Sequence, residues 1–178
     1  MDKPSYELSD NQPEVVSSET TEALATRGDA DAQFSVGFRL ATDGKAPDYA
    51  QAANWYLKAA NQNHALAQFN LGVMYGSGQG VLRDHAQSMM WLRKSAQLGD
   101  AGAQYTLGLQ QNRVSMGEAP EAAGESRIEA YKWLQLAAAQ GYRDSAAGCD
   151  LVAMRMTREG VIEGRRRATA FVADHQNS

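Results

Sequence analysis

Cysteine is almost absent: the 178 residues contain one, Cys149. A single thiol cannot close an intramolecular disulfide, so a disulfide-stapled scaffold is excluded. Proline is scarce, and two of the four, Pro4 and Pro13, fall in the first 16 residues. No run approaches the roughly 20 apolar residues of a membrane-spanning helix. The start, MDKPSYELSD, lacks the apolar centre of a signal peptide. Charge of one sign is also missing: the net of −4 is too small to imply a nucleic-acid or membrane partner. A cytoplasmic protein of one domain is the expectation.

Catalytic signatures are missing as well. The residues three before Lys45, Lys58, Lys94 and Lys132 are Thr42, Trp55, Trp91 and Glu129, so no Ser-x-x-Lys exists. There is no Gly-x-Ser-x-Gly elbow. Gly76-Ser77-Gly78-Gln79-Gly80 lacks the Gly-Lys-Ser/Thr ending of a phosphate loop and reads as a turn between helices. His64, His85 and His175 form no i, i+4 pair and have no cysteine at metal spacing, so neither metal nor cofactor is expected. His64 at a helix boundary and His85 in a first turn read as surface residues. Cys149 reads as a small apolar residue on a packed face.

What the chain does contain is repetition. Trp55, Trp91 and Trp133 are each preceded, seven residues earlier, by a good helix N-cap: Asp48, Asp84 and Ser126. Gln51, Gln87 and Glu129 follow three residues later, completing capping boxes. Eight residues after each Trp stand Asn63, Gly99 and Gly141, residues that adopt the left-handed conformation ending a helix. A second helix precedes each of these. Its signature is Ala32-Gln33-Phe34 with Gly37, Ala67-Gln68-Phe69 with Gly72, and Ala103-Gln104-Tyr105 with Gly108. Glycine inside a helix costs about 1 kcal/mol against alanine. Its recurrence at one register predicts close helix approach, with Ala59, Ala60, Ser95, Ala96, Ala137 and Ala138 as the facing surface.

Two helices per 35–42 residues predict an all-α fold: a right-handed α-solenoid of antiparallel helix pairs. The repeats fall at about 30–63, 65–99 and 101–141. From residue 65 the chain carries the pattern A-x-A-Q-F-x-L-G-x-x-Y-x-x-G-x-G-V-x-x-D, with Trp91 seven residues beyond its last position. That pattern resembles the Sel1-like repeat, a relative of the tetratricopeptide repeat, with Gly76, Gly78, Gly80, Val81 and Asp84 carrying the distinguishing loop. The first repeat has Asp43-Gly44-Lys45-Ala46-Pro47 in place of that loop, and the third is six residues longer. Arg113 to Glu125 is expected as its enlarged, irregular loop. The resemblance implies a bacterial origin.

Terminal segments flank the array. Residues 1–30 hold seven acids and two bases, a net of −5 that leaves +1 for the rest. Residues 1–16 are expected to be disordered or loosely docked. They form either a solvated tail or an acidic segment that folds over the protein's own groove or docks on a partner. Ser17 to Arg27 reads as a capping helix. Residues 144–156 and 158–173 read as a closing pair with Thr157 as N-cap, packed through a stripe of Leu151, Met154, Val161, Ile162, Ala168 and Phe171. Arg165-Arg166-Arg167 is either a solvated face or an anion or partner contact.

In tetratricopeptide-like solenoids the first helix of each pair lines the concave side. Carried over by register, that face comprises Asp31, Phe34, Phe38 and Thr42, then Phe69 and Val73, then Tyr105, Leu109, Asn112 and Arg113. Phe34, Phe69 and Tyr105 belong to the repeat signature and read first as inter-repeat packing. The apolar stripe with polar edges suits a protein or peptide partner. The resemblance therefore implies a protein–protein interaction module: an adaptor, regulator or inhibitor. Two alternatives stay open. One is a cell-wall or β-lactam hydrolase, since some Sel1-like proteins carry such names. The other is a unit that self-associates through its acidic N-terminal segment and C-terminal arginines.

Overall fold

The computed structural model describes residues 20–176, and those residues form helices and turns without a strand. The expectation for residues 1–16 lies outside the described residues. The helices are α1 (Thr21–Arg27), α2 (Ala30–Thr42), α3 (Tyr49–Ala60), α4 (Ala65–Ser77), α5 (His85–Gln97), α6 (Ala101–Ser115), α7 (Pro120–Ala139), α8 (Ser145–Ala153) and α9 (Arg158–Gln176). From α1 to α8 each helix packs on the next: α2 with α3, α4 with α5 and α6 with α7 inside repeats, α3 with α4 and α5 with α6 between them. α9 packs on α7 and not on α8, so the two last helices do not close the array as the pair expected from the sequence.

Local chemistry sets the boundaries. Asp29, Asp48, Asp84 and Asp100 each accept a hydrogen bond at 2.7–3.0 Å from the backbone N–H three residues on. A cap of this kind is worth about 1 kcal/mol. Gln51 returns to the Asp48 carboxylate at 2.7 Å. Asn63, Gly99 and Gly141 all have positive φ (62°, 91° and 68°), so the three stops read from the sequence are left-handed turns.

The signature glycines do mark close approach, but their neighbours differ from the expected ones. A Cβ on Gly37 would lie 3.0 Å from the Tyr56 ring, one on Gly72 2.9 Å from Leu92, and one on Gly108 2.6 Å from Leu134. Ala59 and Ala60 pack instead with Ala67 and Leu71 of the second repeat, and Ala96 with Ala103 and Leu107 of the third. Ser95 faces its own repeat, donating to the Ala65 carbonyl at 2.9 Å. Large side chains on the second helix bend over each glycine, so the glycine admits a ring or a leucine and not a small residue.

Other expectations are corrected. Arg113–Glu125 is mostly helical: α6 runs to Ser115, and α7 begins at Pro120, whose fixed φ suits a first helical turn. The six extra residues are absorbed largely as additional turns of α7. Ser126 is therefore not an N-cap; it is buried inside α7 and its hydroxyl accepts from Gln111 Nε2 at 3.2 Å. The first helix begins at Thr21 with Thr20 as its cap, while residues 17–19 lie outside the described ones.

The closing pair departs from its expected stripe. Leu151, Met154 and Ile162 are exposed, leaving Val152, Val161, Ala168 and Phe171 to face α7 and its surroundings. Thr157 does cap α9, accepting from Gly160 N–H at 3.1 Å. The arginine run is an internal clasp. Arg167 donates to Glu125, to Glu129 at 2.8 Å and to Glu163 at 2.8 Å. Arg166 pairs with Glu163 at 2.7 Å, and Arg165 Nε donates to the Tyr131 hydroxyl at 3.1 Å. The bonds of Arg167 to Glu125 and Glu129 and of Arg165 to Tyr131 hold α9 on α7, and those to Glu163 lie within α9, where the sequence suggested a free basic face.

Candidate functional site

The site is built on the first helices of the pairs, α2, α4 and α6. A groove of about 280 Å³ opens between α2 and α4. Phe38, Ala41 and Thr42 form one wall, Asn70, Val73 and Met74 the other, and Tyr49 and Tyr56 of α3 the floor. Burial holds the Tyr56 phenol above its ordinary pKa, against an opposing hydrogen bond with Asn70. The phenol is thus a neutral donor or acceptor at the base of a mostly apolar slot.

An aromatic cluster continues from this floor. Phe34 lies 6.1 Å from Phe38 and 5.8 Å from Tyr56, and stacks on His64 at 4.6 Å. His64 is not a plain surface residue. It takes the place that Asp29 and Asp100 hold in the neighbouring repeats: its Nδ1 caps α4 by accepting from Ala67 N–H, and its Nε2 lies 3.2 Å from an Asp31 carboxylate oxygen. A ring nitrogen that accepts must be unprotonated, so Nε2 carries the hydrogen given to Asp31.

The residues read from the sequence are brought together only in part. Phe38, Thr42 and Val73 line the groove, with Phe34 and Asp31 beside it. Phe69 packs into the cluster of Leu92, Ala96, Ala103 and Leu107, and Tyr105 packs against Tyr142 and the α7–α8 core. Both therefore pack between repeats. Leu109, Asn112 and Arg113 do not line this groove; they continue its register on α6. Asn112 is half-buried, with its side-chain oxygen enclosed and unpartnered.

Register adds one residue that was expected to be packed. Phe38, Val73 and Leu109 each follow their signature glycine directly, and Leu151 occupies the same position on α8. All four are exposed: 51, 43, 43 and 63%. The signal was present as Ser145, which aligns with Ala67 and Ala103 and fixes the register of α8. An expected apolar stripe concealed it.

A second missed feature is structural. The signature glutamines are buried struts: Gln33, Gln68 and Gln104 donate to the carbonyls of Ala25, Ala60 and Ala96 at 2.9–3.2 Å. Gln62 then donates to the Gln33 side chain and the Gly28 carbonyl, and Gln140 to the Gln104 side chain and the Gly99 carbonyl. The even spacing of the three glutamines was visible in the sequence, but it did not name the acceptors.

Stacked antiparallel pairs, each tied to its predecessor by a buried glutamine, define an α-solenoid. The family model for the Sel1 repeat matches residues 30–64, 65–100 and 102–142. The chain belongs to the Sel1 repeat family, which generally mediates protein–protein interactions. Among solved structures it is similar to c5321, a protective antigen present in uropathogenic Escherichia coli strains displaying an SLR fold. The identity is 29% and the TM-score 0.63, over 84% of this chain and 32% of that one. This chain thus spans about a third of that protein. It is also similar to a Sel1 repeat protein from Oxalobacter formigenes, with 31% identity and a TM-score of 0.58 over 73% of this chain and 94% of that one. No curated protein matches significantly. No helix among the described residues is long and apolar enough to cross a membrane.

Proposed function

We propose that the concave face of α2, α4 and α6 holds an apolar segment of a partner protein, making this chain an adaptor, regulator or inhibitor in a bacterial cytoplasm. One observation carries the reading: Phe38, half exposed, opens onto a groove with Val73 opposite it. A large exposed aromatic at the edge of an apolar slot matches the anchor-and-pocket arrangement that dominates binding energy at interfaces. Leu109 continues the apolar row, Asp31, Thr42, Asn112 and Arg113 supply polar edges, and Phe34 packs on Tyr56 of the floor.

The test is affinity purification from the native host with the parent and with Phe38→Asp/Leu109→Asp as baits. One stoichiometric partner, lost in the variant while the helical circular dichroism is unchanged, is the expected result. Full retention of the partner by the variant would mean that the partner binds elsewhere than the concave face.

A further inference from the structure

We propose that the cavity between the start of α7 and the α8–α9 turn is an anion site that takes a phosphate group, free or as a monoester. It is separate from the concave groove, which lies on α2, α3 and α4. The cavity measures about 160 Å³. Gly124, Arg127 and Ile128 of α7 form one side, and Arg155, Met156 and Thr157 of the turn form the other. A space of that size admits one small group and not a length of chain. Gly124 leaves its side open, with no atom within 4 Å of a would-be Cβ.

Arg127 carries the inference. It is half-buried, and its Nε is enclosed without an acceptor. One terminal nitrogen of its guanidinium donates to the Arg155 carbonyl at 3.4 Å, a long bond. A guanidinium offers five N–H donors and keeps its charge at any ordinary pH. Enclosing a charged donor without an acceptor is costly, so an acceptor from outside the chain is favoured there.

No carboxylate of the chain fills that role. Among the described residues neither Arg127 nor Arg155 lies within ion-pair distance of an acid, whereas Arg39, Arg166 and Arg167 are all paired. Glu125, two residues before Arg127, is taken by Arg167. Glu118 Oε2 is itself enclosed and unpartnered, so it does not neutralise Arg127 either. Two arginines thus bring two positive charges to one cavity without a compensating acid. That matches the charge of phosphate or its monoester near neutral pH, and planar guanidinium forks fit phosphate oxygens in pairs. Thr157 and Gly160 also border the cavity and stand at the start of the 19-residue α9, so the positive end of its dipole adds to the same field. A phosphate held by both arginines would bridge α7 to the α8–α9 turn and stabilise this end of the array.

The experiment titrates the full chain with inorganic phosphate and, separately, with phenyl phosphate, each against chloride at matched ionic strength. At about pH 7.5 both probes are mainly dianions. The expected result is a saturable NMR shift of the Thr157 and Gly160 amides and of the Arg127 Nε–H, with no comparable shift in chloride. Arg127→Gln and Arg155→Gln should each weaken binding by about tenfold to a hundredfold, the worth of a hydrogen bond between charged groups. Arg113→Gln, outside the cavity, should leave binding unchanged. Shifts that do not saturate, or that chloride reproduces, overturn the proposal. So does parental affinity in the arginine variants. Arg155 is exposed, so if Arg127→Gln loses helical circular dichroism, Arg155→Gln alone decides. Binding of inorganic phosphate without phenyl phosphate assigns the site to the free ion, and tighter binding of phenyl phosphate assigns it to a monoester.

Discussion

Leu98 holds, by register, the position over Gln68 that Gln62 and Gln140 hold over Gln33 and Gln104, and the Gln68 side-chain oxygen is buried without a partner. In the flanking repeats that oxygen accepts from the overlying glutamine at 2.9–3.0 Å. Repeat two alone breaks the ladder. Leu98 is 47% exposed, so replacing it forfeits little apolar burial. Leu98→Gln should restore the missing bond and a second one to the Asn63 carbonyl. An expected gain of about 1 kcal/mol would appear as a higher urea midpoint at unchanged slope. An unchanged midpoint would show that water already satisfies Gln68.

Two glycines should respond in opposite directions to the same substitution. Gly80 has φ of 72°, and a Cβ there would come within 2.3 Å of the Tyr49 carbonyl, so the Sel1-type loop closes against the start of α3 only with glycine. Gly80→Ala is expected to cost about 2 kcal/mol or more, from the strained φ together with overpacking. Gly124, inside α7, has nothing within 4 Å of its would-be Cβ. Gly124→Ala should stabilise by about 0.5–1 kcal/mol through helix propensity. Thermal melts of the two variants beside the parent check both signs, and a destabilised Gly124→Ala would mean that α7 does not hold the helical start described above.

The same contrast shows how much was legible in the sequence. Caps and stops depend on one residue's own chemistry, so Asp48, Asp84, Asn63, Gly99 and Gly141 could be read directly. Family membership rested on the spacing of such residues and followed from them. Partner identity at a distance could not be read. Gly72 announced close approach but not that Leu92 would fill it, and the even spacing of Gln33, Gln68 and Gln104 did not disclose that they are buried struts. The 113–125 segment failed for a different reason: Gly117, Pro120 and Gly124 resemble breakers, yet Pro120 opens a helix and Gly124 is tolerated inside it. Arg165–Arg167 looked solvated because Glu125 and Glu129 lie far upstream in the chain, and only the docking of α9 on α7 brings them together. The groove was partly legible, since register placed Phe38 and Val73 on one face. Register could not show that Phe69 and Tyr105 are taken up by packing.

Acid should weaken α9 through the ion pairs that Glu163 makes within the helix. Glu163 is held down to about 2 from an ordinary value of 4.5, first by its hydrogen bond with Arg166 and then by that with Arg167. A carboxylate with a lowered folded pKa contributes stability that is fully present above the unfolded value. That stability is lost as pH falls from about 4.5 toward 2. Trp133 touches Phe171 of α9 edge-on, with ring centroids 5.5 Å apart, so tryptophan emission reports the docking. In the parent, the emission and the melting temperature should shift together over that window. In Glu163→Gln the part of this dependence due to Glu163 should be gone, and stability at pH 7 should be lower than the parent's. Equal acid profiles for the two proteins would show that the Glu163 pairs within α9 carry no stability.

Cys149 offers a readout of the whole array without any substitution. It is buried on α8 beside Val152 and the α7 core, and burial, with Asp150 adding to it, pushes its thiol up to about 11. The thiolate is the reactive form, and an unperturbed cysteine near 8.5 would present roughly 200-fold more of it at pH 8. Alkylation by iodoacetamide at pH 8 should therefore be at least about 100-fold slower in the native protein than in urea. With urea added gradually, the rate should follow the opening of α8 and α9. If the terminal pair opens before the repeats, as expected where neighbours lie on one side only, alkylation will precede the loss of helical circular dichroism. Coincident transitions would instead show that the arginine clasp joins the closing pair to the repeats as one cooperative unit.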